Sequence, residues 1–191
     1  MRLNLGCGNN KLDGYLNVDK QAHCNPDQVV DLEQFPWPFD DNCAEKVVMS
    51  HVLEHLGETS QTYLAIIKEL YRICCNGARI EIKVPHPRHD EFVNDPTHVR
   101  AILAEQFQLF SKATNKEWQE QGYANTPLAD YLDVDFETED IRWTPDDIWV
   151  QKLQAGKISS SDLDEMAQHQ YNILKEIQKI CKLSHIIKMI Y

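Results

Sequence analysis

The chain has 191 residues, with 30 acidic against 19 basic side chains, a formal charge of −11 and 42% hydrophobic residues. That length suffices for one domain with a sizeable core, and no apolar run approaches the ~20 residues a membrane-spanning helix needs. So acidic a chain disfavours a nucleic-acid partner, because phosphate-backbone binding depends on clustered bases, and its densest basic stretch, Lys83 to Arg100, is interleaved with Asp90, Glu91 and Asp95.

The opening MRLNLGCGNN lacks the long apolar centre of a signal peptide. Cysteines at 7, 24, 43, 74, 75 and 181 include no C-x-x-C pair. Reduced thiols and a cytoplasmic location, without membrane attachment, are the expectation.

In chain order, Arg2 to Leu5 reads as a strand and Gly6-Cys7-Gly8-Asn9-Asn10 as the turn that follows it. From Gly8 to Asn17 there are too few residues for a helical crossover, which takes at least ~10–12. The first crossover should therefore shrink to a turn, leaving part of one sheet face for another segment to cover. Tyr15–Asp19 and Gln28–Asp31 are short strands that each end on an acid, and Lys46–Met49 is a fourth. A helix from about Thr59 to Cys74 carries Tyr63, Ile66, Ile67, Leu70 and Ile73 at helical spacing. Asn76-Gly77 is positioned as its left-handed stop, and Arg79–Val84 is a fifth strand. Single strands separated by a crossover helix predict a parallel α/β sheet.

Beyond Pro85 the pattern changes. His86 to Arg100 is a polar loop, Leu103 to Ser111 a short helix, and Asp130 to Trp143 alternates like a hairpin or a pair of strands. A last helix is expected from Ser161 to Leu183, capped by Ser161 or Asp162, with Met166, Ile173, Leu174, Ile177 and Ile180 on its apolar face. That stripe is the candidate cover for the bare sheet face. The organisation is one domain over 1–191: a ligand-binding core (1–87), substrate-side insertions and late strands (88–160) and a C-terminal helix (161–191).

Three successive strand ends thus carry glycine, acid and acid. A glycine turn lets backbone approach a ligand at the carboxyl edge of a parallel sheet. An acid after the second strand suits ribose hydroxyls, and one after the third suits an adenine amino group. A dinucleotide site would want G-x-G-x-x-G running into a long helix; here neither the third glycine nor room for the helix is present.

The words LNLGCGNN, NVDK, VVDLEQFPWPFDDN, VVMSHVLEHL and ELYRICCNGARIEIKVPHP, in this order over about the first 87 residues, resemble the class I S-adenosylmethionine (SAM)-dependent methyltransferases, in particular the type 11-like group. The resemblance implies a Rossmann-like sheet and SAM as cofactor. It places Gly6, Cys7 and Gly8 on the methionine part, Asp19 on the ribose, Asp31 and Leu32 at the adenine with Trp37 and Phe39 nearby, and His51 beside the sulfonium. The chain departs from the group in having Asn4 where the first acid of the glycine turn stands.

MSHVLEHL also contains H-x-x-E-H, an inverted zinc-peptidase spacing formed by His51, Glu54 and His55. No separate signal supplies a peptide cleft and a third ligand. A packing and capping role, with no metal bound, is the expectation. Some metal-dependent members of the resembled group carry E-x-x-E-H here plus a distal histidine; Glu54 and His55 match, His51 replaces the first glutamate, and His86, His89 or His98 is available as the distal ligand.

His86, His89 and His98 are also the candidate general bases, having ordinary pKa values near ~6.5. His98 is favoured because Asp95-Pro96-Thr97 would hold it rigidly. The bland alternative has His98 and Arg100 facing solvent or pairing with Asp90. The expected activity is methyl transfer to an O or N atom of a small-molecule acceptor such as a sugar or secondary metabolite. The alternatives are a metal-assisted O-methyltransferase of RNA or protein, and a non-catalytic SAM-binding subunit. A homodimer is left open.

Overall fold

The strand signals of the first half assemble as expected into parallel neighbours. In the computed structural model, which describes residues 1–169 and 172–183, these are β1 (Arg2–Leu5), β2 (Leu16–Asp19), β3 (Gln28–Val29), β4 (Ala44–Ser50) and β5 (Cys74–Pro85). With β6 (Phe136–Pro145) and β7 (Leu174–Leu183) they form one seven-stranded sheet ordered β3-β2-β1-β4-β5-β7-β6. β7 lies antiparallel to both its neighbours. The chain moves outward from β1 to β3 and then returns to place β4 on the other side of β1. That reversal opens a crevice at the strand ends.

Helix α1 (Ser60–Ile73) buries the five apolar residues its periodicity picked out, and the Thr59 hydroxyl caps it by accepting from Thr62 N. Its end is a correction. The chain passes from Ile73 straight into β5, so Gly77 does not stop the helix. Pairing with β4 jumps from Ala44↔Cys74 to Lys46↔Arg79, and Gly77, at φ 73°, sits in the irregular stretch between.

No helix links β1 to β2, as the short spacing predicted. Side-chain amides close the loop instead. Buried Asn4 donates to Asn10 O and to Asn17 Oδ1, both at 2.9 Å. Asn17 accepts from Leu12 N at 2.8 Å and donates to Asp27 Oδ2 at 2.9 Å. The residue that departs from the resembled pattern therefore ties the glycine turn to β2, a job for which a neutral amide with both donor and acceptor is suited.

The second half differs more. Among the described residues the expected C-terminal helix is two elements, α6 (Ser160–His169) and then β7; positions 170–171 and 184–191 of that expectation lie outside the described residues. The start of α6 is bonded reciprocally, Asp162 Oδ2 accepting from Ser159 N and Ser159 Oγ from Asp162 N. Ile173, Leu174, Ile177 and Ile180 imitate helical spacing, but in β7 it is Ile177, Lys179, Cys181 and Leu183 that turn inward at period two. The buried lysine disguised the alternation.

The helix expected at 103–111 is a 3₁₀ stretch, Ala104–Phe110, and the expected hairpin is a short helix α4 (Leu128–Leu132) followed by the single strand β6. The remaining helices are α2 (Asp90–Asn94), α3 (Lys112–Glu120) and α5 (Asp147–Gln154).

Among the described residues, the sheet face left by the missing crossover is closed by no apolar helix. It is polar: Lys46 pairs with Glu81 at 3.4 Å and Lys83 with Glu176 at 2.7 Å, over an open cavity of about 520 Å³ reached by Asn4, Tyr15, Ser50 and Lys83. The other face holds the core, with Leu3, Leu5, Val47, Met49, Ile80 and Ile82 packed with the inward residues of α1. All six cysteines are free. No helix among the described residues is long and apolar enough to cross a membrane.

Lys179 yields a test of this packing. It is 2% exposed, donates to Ala104 O, lies 4.6 Å above the Phe107 ring, and has no ion pair among the described residues. Burial holds its pKa below the ordinary lysine value. Between that lowered value and the unfolded ~10.4, the unfolded chain binds more protons, so stability rises with pH across the interval. Lys179→Met is expected to stabilise the fold by roughly 1–3 kcal/mol near neutral pH and to abolish that rise. Urea unfolding at several pH values checks it; parallel curves for the two proteins would contradict the assignment.

Candidate cofactor site

The crevice at the carboxyl ends of β1 to β4 holds a cavity of about 420 Å³, within the ordinary range for small-molecule sites. Six of the seven residues expected at a cofactor line it: Gly6 and Gly8 after β1, Asp19 at the end of β2, Asp31 and Leu32 after β3, and His51 after β4. The seventh, Cys7, does not. It turns into the neighbouring cavity on the polar sheet face, while its N–H bonds Val18 O at 2.9 Å. Burial, and then the nearby Asp19 charge, push its thiol pKa up, which makes it an inert wall residue. Trp37 and Phe39 are core residues behind the cavity; Trp37 Nε1 donates to Leu32 O at 3.0 Å and so backs the predicted adenine wall from within.

Lys20, Val30, Val52, His55, Leu56 and Thr97 complete the lining. The first five adjoin motif residues, so position after a parallel strand could have flagged them. Thr97 comes from a distant loop and had no signal.

The turn geometry suits a close ligand. Gly6 and Gly8 have φ of 68° and 48°; a Cβ on Gly6 would stand 2.3 Å from Val52 Cγ2, while one on Gly8 would meet nothing within 4 Å. Asp19 spans the turn, its Oδ2 accepting from Gly8 N and its Oδ1 from Gln21 N, each at 2.8 Å. The carboxylate is thereby oriented before any ligand arrives, with further lone pairs free. Asp31 Oδ1 accepts from Glu33 N at 3.0 Å in the same manner.

His51 ends β4 in a left-handed conformation, φ 55°, with its N–H on Lys83 O at 2.8 Å. Non-glycine residues reach this region at a cost and cluster at functional sites. Its imidazole is 42% exposed, with Nδ1 3.6 Å from Glu54 Oε1 and Nε2 3.2 Å from Glu176 Oε1. Chiefly the Glu54 carboxylate, with Glu176 adding, holds its pKa above the ordinary imidazole value.

The three histidines of the 86–100 segment go to three different places. His86 is buried against Trp143 beside a separate cavity of about 660 Å³, and burial lowers its pKa. His89 caps α2: Nδ1 accepts from Glu91 N and Nε2 meets Asp146 Oδ2, both at 3.2 Å, so both ring nitrogens are occupied. Only His98 reaches the corner where His55 and Thr97 line the 420 Å³ cavity, with its ring edge-on to His55 at 4.5 Å.

Backbone bonds bring it there. Val99 N and Arg100 N both donate to Glu54 O, at 2.9 and 3.1 Å, and the Arg100 guanidinium donates to Gly57 O while stacking on Tyr63. The 3₁₀ turn Leu53–His55 and the loop after α2 are thereby one structural unit. Glu54 lies in the first turn of that 3₁₀ helix, as its packing and capping role implied, and is buried at 1% exposure. Glu54, His55 and His98 each bring one metal-competent atom within 4.8 Å of the others.

A parallel sheet with one reversal, an inserted antiparallel strand and a glycine–acid–acid crevice defines the class I methyltransferase fold, and comparison with solved structures agrees. A SAM-dependent methyltransferase from Archaeoglobus fulgidus superposes with TM-score 0.62 at 16% identity, over 95% of this chain and 85% of that one. A SAM-dependent methyltransferase from Methanosarcina mazei gives 0.55 at 13%, over 97% and 92%. The [4+2]-cyclase SpnF also matches, at 0.52 and 14%, over 96% and 75%. No protein-family profile matches the chain, and no curated protein sequence is significantly similar to it. Likeness at these identities defines the fold; chemistry must come from the site.

Proposed function

We propose that the chain binds SAM in the crevice and catalyses transfer of its methyl group to an O or N atom of a small-molecule acceptor. The observation that carries the reading is the convergence of Gly6, Gly8, Asp19, Asp31 and His51, from four separate strand ends, on one cavity of about 420 Å³. The bound cofactor would supply a methyl group on a sulfonium, already a good leaving group. The protein's task is then mostly alignment, which can supply a large share of a barrier.

Gly8 offers a backbone with open space where a side chain would stand, and the fixed Asp19 carboxylate offers acceptors for ribose hydroxyls. Asp31 and Leu32 are placed for the adenine, polar on one edge and apolar on the face. The deprotonation of an acceptor hydroxyl belongs at the His55–His98 corner, since His89 has no free nitrogen and His86 faces another cavity. The chain's net charge of −11 favours a small acceptor over a nucleic acid.

Calorimetry with SAM and its demethylated product tests the first step, with one tight site expected; absence of binding would remove the reading. Incubation with methyl-labelled SAM and fractionated extract of the source cells tests the second. Label in a small-molecule fraction is expected, and label in RNA or protein would overturn the acceptor class.

A further inference from the structure

The cavity of about 660 Å³ beside His86 shares no lining residue with the cofactor cavity, and methyl transfer gives it no task. Its walls come from the loop after β5, from β6 and β7, from the 3₁₀ stretch and from α6. We propose that it is a second small-molecule site, shaped for an α-amino acid with a large apolar or aromatic side chain.

His86 is the group in need of a partner. It is 7% exposed, and burial, with the Arg88 charge adding, holds its pKa below the ordinary imidazole value, so the ring is neutral near neutral pH. Its Nδ1 accepts from Arg88 N at 3.2 Å. A neutral imidazole has one donor nitrogen and one acceptor, so the proton sits on Nε2. That N–H has no hydrogen-bond partner among the described residues. Buried polar groups are ordinarily bonded, and this one belongs to the cavity wall. An acceptor atom on a ligand would satisfy it.

Arg88 lines the same cavity two residues on. Its Nη1 donates to Gln168 O at 2.8 Å, which anchors the guanidinium, and it enters no ion pair among the described residues. The guanidinium and the His86 N–H together offer a carboxylate two donors, one of them charged. Glu105 and Asp164 also line the cavity, again without an ion pair among the described residues. They offer acceptors for an ammonium. Glu105 stands near enough to His86 to act on its pKa, so the donors and the acceptors are neighbours, as the two charges of an α-amino acid are. An ion of one sign would meet repulsion from one set; a zwitterion satisfies both.

The apolar part of the lining suits the side chain of such a ligand. Trp143, 40% exposed, is an aromatic wall whose ring centroid lies 5.8 Å from that of His86, and Leu103 and Leu174 extend it. A mostly apolar cavity of this size with a few placed polar groups is the usual form of a small-molecule site. Backbone bonds hold the walls in place. His86 N donates to Lys175 O at 2.8 Å, Asn172 N to Arg88 O at 3.1 Å, and Trp143 pairs with Ile177 across β6 and β7.

Calorimetry of the full chain with L-phenylalanine, phenethylamine and 3-phenylpropionate tests the site. No SAM is present, so the outcome is independent of the methyl-transfer reading. Phenethylamine lacks the carboxylate and 3-phenylpropionate the ammonium. L-Phenylalanine is expected to bind once per chain, and each analogue roughly tenfold or more weakly, for want of a charge-assisted hydrogen bond. Arg88→Met should weaken L-phenylalanine by a similar factor and leave phenethylamine nearly unchanged. The double variant Glu105→Gln, Asp164→Asn should also weaken L-phenylalanine, but leave 3-phenylpropionate nearly unchanged. All three side chains are exposed, so the variants should melt as wild type does, and their losses then report the site and not the fold. Absence of saturable L-phenylalanine binding overturns the site. Equal affinity for the three compounds, or wild-type preferences in both variants, overturns it equally.

Discussion

Asp19→Ala is expected to lower affinity for SAM and for its demethylated product by roughly tenfold to a hundredfold. Charge-assisted hydrogen bonds contribute about 1.5–3 kcal/mol each, and every 1.4 kcal/mol is a factor of ten. The structure adds a second route to the loss. Asp19 Oδ2 holds Gly8 N at 2.8 Å, so the truncated side chain also frees the glycine turn that lines the cavity. Asp19→Asn separates the two effects: it keeps the size but can retain only one of the two backbone bonds, since its nitrogen would face Gly8 N or Gln21 N. It should fall between wild type and Asp19→Ala. Calorimetric affinities equal in all three proteins would remove Asp19 from the cofactor site.

Gly6→Ala carries the largest expected cost in stability. Its φ of 68° adds about 1–2 kcal/mol of left-handed strain for any residue with a Cβ. The new atom would lie 2.3 Å from Val52 Cγ2 and 2.7 Å from Cγ1, and such overpacking typically costs about 1–3 kcal/mol. The sum, roughly 2–5 kcal/mol, is a large fraction of an ordinary domain's stability. Gly8→Ala is the control, because at φ 48° its Cβ meets nothing within 4 Å and only the strain remains. Urea midpoints should fall in the order wild type, Gly8→Ala, Gly6→Ala. A Gly6→Ala midpoint no lower than that of Gly8→Ala would show that Val52 gives way freely.

What could be read directly was local. The parallel half of the sheet, its glycine turn and the acids at the ends of β2 and β3 are consecutive in the chain, and each signal lies within one strand and the turn after it. Even the missing first helix was legible, because a crossover has a minimum length. Six of the expected cofactor residues line one cavity for the same reason: a parallel sheet puts every such strand end on one edge.

Cys7 lines the neighbouring cavity instead because consecutive residues of a turn point to different sides. β7 was misread as helix because Ile177 and Ile180 fit a helical period as well as a strand's; only pairing with β5 and β6, residues remote in sequence, decided it. That pairing buries Lys179 against Phe107, a contact that no composition could announce. Likewise the sequence by itself determined that Glu54 and His55 are neighbours and that three histidines follow. Which of them joins the pair was decided by Val99 and Arg100, whose backbone bonds to Glu54 O dock the distant loop and carry His98 with it. Local periodicity and spacing are properties of a few residues; selecting one among three candidates requires the free energy of a loop packed against a turn more than forty residues away.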